Sequence, residues 1–176
     1  MITIKNNRER SYRMYGLVPY NISPIQQAIQ FGHAVVEYAN NYFNDDDYQA
    51  WAKNDKTFII LNGGTTNKDF ETELNISYKG SLNNNASTID QHNLKHGVFF
   101  EPDLGDQLTA VVFLVDDRVW DKETYPDFPG PWISDWTGTH PDKGYYDQWK
   151  KMFSEDETEA DHIAWLRDFL RNFRLA

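Results

Sequence analysis

The sequence contains no cysteine, which removes disulfides, thiol nucleophiles and thiolate metal sites at once. It also lacks a long apolar run: nothing approaches the roughly 18 apolar residues that a membrane-spanning helix requires, and the start, MITIKNNRER, carries no apolar leader. The expected setting is soluble and cytoplasmic, with no membrane partner, so the sequons at Asn21, Asn75 and Asn85 read as chance matches. Positive charge is scarce as well. Lys and Arg number 17 against 27 Asp and Glu, a net charge of −10, and broad contact with a phosphate backbone would take place in a repulsive field. The one basic cluster, Lys5, Arg8, Arg10 and Arg13, reads as a solvated arm.

What is present suffices for a core. The 176 residues suit one domain, with 40% hydrophobic content and 6 Trp, 10 Tyr and 11 Phe to offset chain entropy. The organising stretch is Ser23 to Ala39, SPIQQAIQFGHAVVEYA. Ser23 caps a helix with Pro24 at its first position, where the missing N–H costs nothing. Ile25, Ala28, Ile29, Val35, Val36 and Ala39 make a helical apolar pattern that predicts the face lying on a sheet. Gln26, Gln30 and His33 project as a polar stripe beside it, either a cleft wall or a solvated face.

Around this helix the pattern is α/β. Tyr12 to Tyr20 has the aromatic and branched content of a first strand. An acidic turn at Asp45-Asp46-Asp47 caps a short helix through Trp51, and Thr57 to Leu61, a continuous apolar run, predicts a central strand ended by Asn62-Gly63-Gly64. Residues 67–85 read as an insertion, with a hairpin arm in Glu71 to Tyr78 and a loop from Gly80 to Asn85. Ser87 or Thr88 then caps a helix that ends at Gly97 and carries His92 and His96 at i, i+4. Between them stands NLK, without the glutamate of a zinc motif, so neither metal nor cofactor is expected. Val98 to Phe100 and Ala110 to Val115 are two further strands, joined through a loop with three carboxylates, Glu101, Asp103 and Asp106. Pro126, Pro129, Pro131 and Pro141 punctuate an aromatic segment predicted to wrap as a loop, with Trp132 and Trp136 covering sheet edges or core. Two helices follow, Asp142 to Phe153 and a last one capped by Ser154 with Glu157. The chain thus divides into an α/β core over 13–115 and a Pro-rich segment with helical extension over 116–176.

The order strand, helix, Trp-bearing turn, strand, helix ending in Gly, and two strands resembles peptidyl-tRNA hydrolase 2, the archaeal and eukaryotic type. Gln30-Phe31-Gly32-His33-Ala34 resembles that family's Gln-Cys-x-His-Ala helix signature. Trp51 with Lys56 to Ile60, Leu94 to Phe100, and Asp103-Leu104-Gly105 resemble its second-strand, helix-glycine-strand and Asp-Ala-Gly regions. The resemblance implies a mixed four-stranded sheet flanked by helices on both faces. It also implies hydrolysis of the ester between a peptide and tRNA, an activity that needs no cofactor. Carried over by position, His33 and Asp103 take the catalytic roles, Asp103 orienting His33 as general base toward water, and Gln26, Gln30 and Asp106 contact the substrate. Where the family has a lysine four residues before the glutamine this chain has Gln26, and the threonine after Asp-Ala-Gly is replaced by Gln107. A lost cation weakens oxyanion or phosphate stabilisation, by about 10²–10³ in rate for a single lost donor.

Two further readings stand beside the esterase acting on a tRNA-like substrate. One is a non-catalytic acidic binding or inhibitory protein, an accessory or viral interaction factor, engaging a protein partner through its acidic surface or the aromatic segment Trp120 to Trp136. The other is a nucleotide or small-ligand pocket near Asn62-Gly63-Gly64.

Overall fold

Aromatic and β-branched residues draw Tyr12–Val18 into the first strand, β1, around which a mixed sheet assembles in a computed structural model that describes residues 10–67, 70–71 and 77–176. Strand β2 (Thr57–Asn62) pairs parallel to β1, while β6 (Gln107–Asp116) pairs antiparallel to both β1 and β5 (Gly97–Glu101), giving the order β2-β1-β6-β5. This is the expected α/β class with a mixed four-stranded sheet. The central strand with the unbroken buried run is β6, Leu108 to Val115, and β2 is an edge strand, contrary to the position its apolar run predicts. The outer rim of β2 is paired by the chain's last residues: Leu61 bridges Leu175, and the Asn62 and Ala176 amides donate to the Arg174 and Ile60 carbonyls at 2.8 and 3.0 Å. This pairing covers the edge at Ile60 to Asn62. The described chain groups into two compact units, Met1–Asp116 with Phe173–Ala176, and Asp117–Asn172.

In the first unit, helix α1 (Pro24–Tyr42) begins at a complete capping box. The Ser23 hydroxyl accepts from the Gln26 amide, and the Gln26 side chain accepts from the Ser23 amide. The helix is rotated from the predicted azimuth. It buries Gln30, Phe31, Ala34 and Tyr38, whereas Ile25 (73% exposed), Ile29 (50%) and Val36 (57%) face outward. Aromatic packing accounts for the rotation. Phe31 lies edge-on to Phe58, which meets Trp51, which meets Tyr48, which meets Tyr38, with centroid separations of 5.4 to 6.1 Å. This chain of rings fastens α1 to α2 (Asp46–Ala50), to the π-helical turn Trp51–Asp55 and to β2. On the sheet, Met14, Val18, Ala110, Val112 and Leu114 complete the same core. Two glycines make the close approach sterically feasible. A Cβ on Gly16 would stand 2.2 Å from the Phe31 ring, and one on Gly97 would stand 2.7 Å from the Ala34 oxygen and the Tyr38 nitrogen. Gly97 therefore lies within β5 under α1 and does not cap a preceding helix.

Opposite α1, Tyr15 stacks on Phe113, and Leu17 meets Leu82 across Gly63, placing α3 (Ser81–Gln91) on the other face. This helix occupies the Gly80–Asn85 stretch predicted as a loop and stops before the predicted Gly97 end. His92 is its C-cap residue, and Asn93 takes positive φ at 53°, so His92 and His96 do not share a helix face. Asn62-Gly63-Gly64 forms a turn in which the Asn62 side chain accepts from the Gly64 amide at 3.1 Å. Within the 67–85 region, β3 (Phe70–Glu71) pairs antiparallel with β4 (Ser77–Tyr78), as the hairpin reading expects. Lys5, Arg8 and the Asn75 sequon lie outside the described residues.

The second unit is built around a guanidinium. Arg167, fully buried on α6 (Glu157–Leu170), donates to the carbonyls of Arg118 (2.7 Å) and Tyr125 (2.8 Å) and to Asp127 (2.7 Å), while its face lies over Phe153 and Trp149. It thereby joins α4 (Asp117–Trp120), the Pro-rich segment and α5 (Lys143–Lys150). Burial alone would raise the Asp127 carboxyl, but hydrogen bonds from Lys122 and Arg167 outweigh it and hold the group well below the usual carboxylate range. Helix α5 is capped by Asp142 as predicted. The cap of α6 is Asp156, two residues after the predicted Ser154, whose hydroxyl instead bonds Glu159. The aromatic segment is not a plain loop: β7 (Trp132–Asp135) and β8 (Gly138–Pro141) form a hairpin. Trp132 and Trp136 are exposed there, Trp136 to 95%, so neither covers a core. The turn is held by Asp135, which accepts from the Thr137 amide and hydroxyl at 2.7 and 2.6 Å and pairs with His140 at 2.9 Å.

Replacing Gly97 with Ala is expected to lower the free energy of unfolding by about 1–3 kcal/mol through overpacking against α1, as read by urea denaturation; a neutral substitution would show that the helix does not rest on β5 so closely. In the hairpin, the hydrogen bond that the protonated His140 ring donates to the Asp135 carboxylate raises the His140 pKa above its ordinary value. The contribution of this pair to hairpin order is therefore fully present below the ordinary histidine value and fades as pH rises through the raised one. Proton NMR should follow His140 titrating late in the wild type and near its ordinary value in Asp135→Asn; identical titrations would mean that the pair does not form in solution.

Candidate functional site

Strands β1, β2 and β5 run in one direction, and their carboxyl ends meet the start of β6 and the first turns of α1. Crevices at such carboxyl ends are the usual ligand sites of open α/β sheets. Here the ends carry a collar of polar side chains. Gln30 is its buried member: its amide Nε2 donates to Glu101 Oε2 at 2.5 Å, and its Oε1 accepts from the Thr109 hydroxyl at 2.9 Å, with the Phe99 carbonyl a second acceptor at 3.3 Å. The other oxygen of Glu101 accepts from the Asp103 amide at 3.3 Å, so one carboxylate ties α1 to the β5–β6 connection. Further along, Thr66 and Asn21 exchange two hydrogen bonds at 2.9 and 2.7 Å. The Thr66 hydroxyl donates to Gln107, whose amide donates to the Leu104 carbonyl at 2.7 Å.

Each residue singled out in the sequence has a definite place. His33 is exposed on α1, its ring centroid 4.4 Å from that of Phe99. Asp103 is exposed in the 3₁₀ turn Pro102–Leu104 directly after β5. Among the described residues no hydrogen bond joins His33 to Asp103. Gln26 is exposed, with its Oε1 turned back to the Ser23 amide and hydroxyl at 3.1 and 3.0 Å. Asp106 is exposed at a positive φ of 58°, next to Gly105 at 72°, where the connection folds back into β6. The fold thus gathers Gln30, Glu101 and the Asp103 backbone into one network, with His33 beside it on Phe99.

Thr109 was missed by sequence reasoning, although a threonine beside the buried Leu108 and Ala110 requires a partner for its hydroxyl. Glu101 was visible only as one of three loop carboxylates. Asn21, Thr66 and Gln107 left no periodic signal, because they converge from two connections and the start of β6. Every side chain in the collar is an amide, a hydroxyl or a carboxylate; none is a lysine or arginine. No group of three or more His, Asp or Glu among the described residues is arranged to hold a metal ion, and no described helix is long and apolar enough to cross a membrane. No protein-family model and no curated protein matches the sequence.

Because Gln30 is buried with both ends of its amide engaged, Thr109→Val is expected to cost roughly 1–3 kcal/mol by leaving Gln30 Oε1 without a donor. The double variant Thr109→Val with Gln30→Leu should cost less than the sum of the singles in chemical denaturation. Strict additivity would dissolve the network.

Proposed function

We propose that the collar is a recognition site for a donor-rich, non-anionic group, a basic or amide-bearing segment of a protein partner, on a scaffold resembling that of peptidyl-tRNA hydrolase 2. The observation that carries this reading is the charge of the site. The network of Gln30, Thr109 and Glu101 contains no lysine or arginine, and the exposed Asp103 and Asp106 follow Glu101 on the same connection, in a chain of net charge −10. A phosphate brought there would meet repulsion from these acids, while an ammonium or amide N–H would find acceptors. Gln26, which stands where the family has its lysine, directs its oxygen to the helix cap and offers no positive charge to a developing oxyanion.

A hydrolytic reading is favoured by one observation, the exposed His33 ring resting on Phe99 one helical turn from Gln30. In that reading the imidazole takes a proton from water as the water attacks an ester carbonyl.

Release of N-acetyl-amino acid from N-acetyl-aminoacyl-tRNA separates the two. At about 10 μM protein and low salt, where electrostatic binding of nucleic acid is strongest, the recognition reading expects no release that depends on His33. Release abolished by His33→Ala would replace it with the esterase. Positively, a lysine-rich peptide should bind about tenfold more weakly to Glu101→Gln/Asp103→Asn/Asp106→Asn than to Asp45→Asn/Asp46→Asn/Asp47→Asn, which removes the same charge elsewhere. Equal losses would reduce the interaction to net charge alone.

A further inference from the structure

The two edges of the sheet are treated differently by the fold. The β2 edge is met at Ile60 to Asn62 by the chain's own last residues, whereas no described strand lies on the outer side of β5. Natural sheets blunt such an edge with lysine, proline, a bulge or a cover. Strand β5, Gly97-Val98-Phe99-Phe100-Glu101, has no lysine or proline, and the bulge at Phe99/Phe100 places its extra residue, Thr109, on β6. The registers fix which backbone groups are left over. The Gly63 amide donates to the Val18 carbonyl, so even-numbered residues of β1 turn toward β2 and odd-numbered ones toward β6. Tyr15 and Leu17 therefore engage Phe113 and Val111, and Ala110 and Val112 are turned the other way, to Phe99 and Gly97. The N–H and C=O groups of Val98 and Phe100 face outward, and among the described residues no backbone group pairs with them.

Side chains beside this rim alternate as well. Phe99 and Glu101 project to the α1 face, where they meet His33 and Gln30. Glu37, exposed one turn beyond His33, continues the same helix stripe. On the opposite face stand Val98 and Phe100, the latter 48% exposed. The nearest lysine in sequence, Lys95, is engaged by Asp45 at 2.5 Å and Asp47 at 3.6 Å. One side of the rim is thus acidic and the other apolar. We propose that β5 is a strand-addition edge, on which an extended partner segment of alternating basic and apolar residues pairs as a fifth strand. Backbone pairing satisfies Val98 and Phe100, basic side chains on the α1 face approach Glu37 and Glu101, and apolar ones cover Phe100. The proposal rests on the reading of the collar as a site for a basic or amide-bearing segment, and gives that segment a conformation and a sequence pattern.

Amide hydrogen exchange of the full chain, followed by NMR with and without a short blocked peptide alternating lysine and valine, tests the proposal. At saturating peptide the Val98 and Phe100 amides are expected to exchange at least about tenfold more slowly, with the Asn62 amide, already paired on the β2 edge, unchanged. Val98→Pro removes an outward N–H and no ladder bond; with an unchanged circular dichroism spectrum, it should weaken the peptide at least about tenfold. A peptide that binds without slowing these two amides, or that binds a folded Val98→Pro chain as tightly as the wild type, overturns strand addition and leaves the collar reading standing. A peptide that does not bind removes both. Protection that is present without peptide and grows with protein concentration assigns the edge to a second copy and also overturns the proposal.

Discussion

Helix α1 is apolar on two opposite faces, and only one of them can meet the sheet. That choice fixes nearly everything else in the first unit. One candidate face offers Ile25, Ile29 and Val36; the other offers Phe31, Ala34 and Tyr38 together with Gln30. Aromatic side chains bury roughly 150–250 Å² each, and Phe31 and Tyr38 extend the ring chain through Tyr48, Trp51 and Phe58. The aromatic face therefore wins despite carrying an amide into the core. Gly16 and Gly97 then hold the outcome, because the helix can lie this low on the sheet only where β1 and β5 have no side chain.

The amide is the cost of that choice. A buried polar group without partners would be destabilising by about 1–3 kcal/mol, and the sheet supplies Thr109 from β6 and Glu101 from the end of β5. Once Glu101 is committed to Gln30, the connection after β5 is drawn toward α1 through the Asp103 amide, and His33, one turn along from Gln30, comes to rest on Phe99. The polar collar is therefore a consequence of helix azimuth, and the same rotation turns Ile25, Ile29 and Val36 to the outside.

This also explains what was legible from the sequence. The α/β class, β1, β5, β6 and the Ser23 start of α1 follow from local patterns, and local patterns read them correctly. The azimuth of α1 was misread because the aliphatic residues alone make a convincing helical stripe, while the competing face depends on rings contributed by Tyr48, Trp51 and Phe58 from elsewhere. The apolar run of β2 suggested a central strand because hydropathy does not report a strand's neighbours; one rim of β2 pairs with β1 and the other with the chain's own last residues, Arg174 to Ala176. Gln30 was singled out correctly as a candidate, but Thr109, its donor, lies 79 positions away, and no single-sequence period reports a contact of that span. In the second unit the turn chemistry of Asp135 and Thr137 was readable in principle, yet the prolines around it argued for a loop.

Local inconsistencies are most informative where the fold does not resolve them. In the second unit the gravest one, a fully buried arginine, is answered from several sides by two carbonyls, a carboxylate and two aromatic rings. Arg167 therefore reads as architecture, a hub replacing the larger apolar core that 56 residues, Asp117–Asn172, would be hard pressed to build. On α1 the balance differs. Gln30 is answered by Thr109 and Glu101, whereas Ile25, Ile29 and Val36 stand exposed on the opposite face. That difference is the ground for placing the proposed recognition site on the first unit, beside α1.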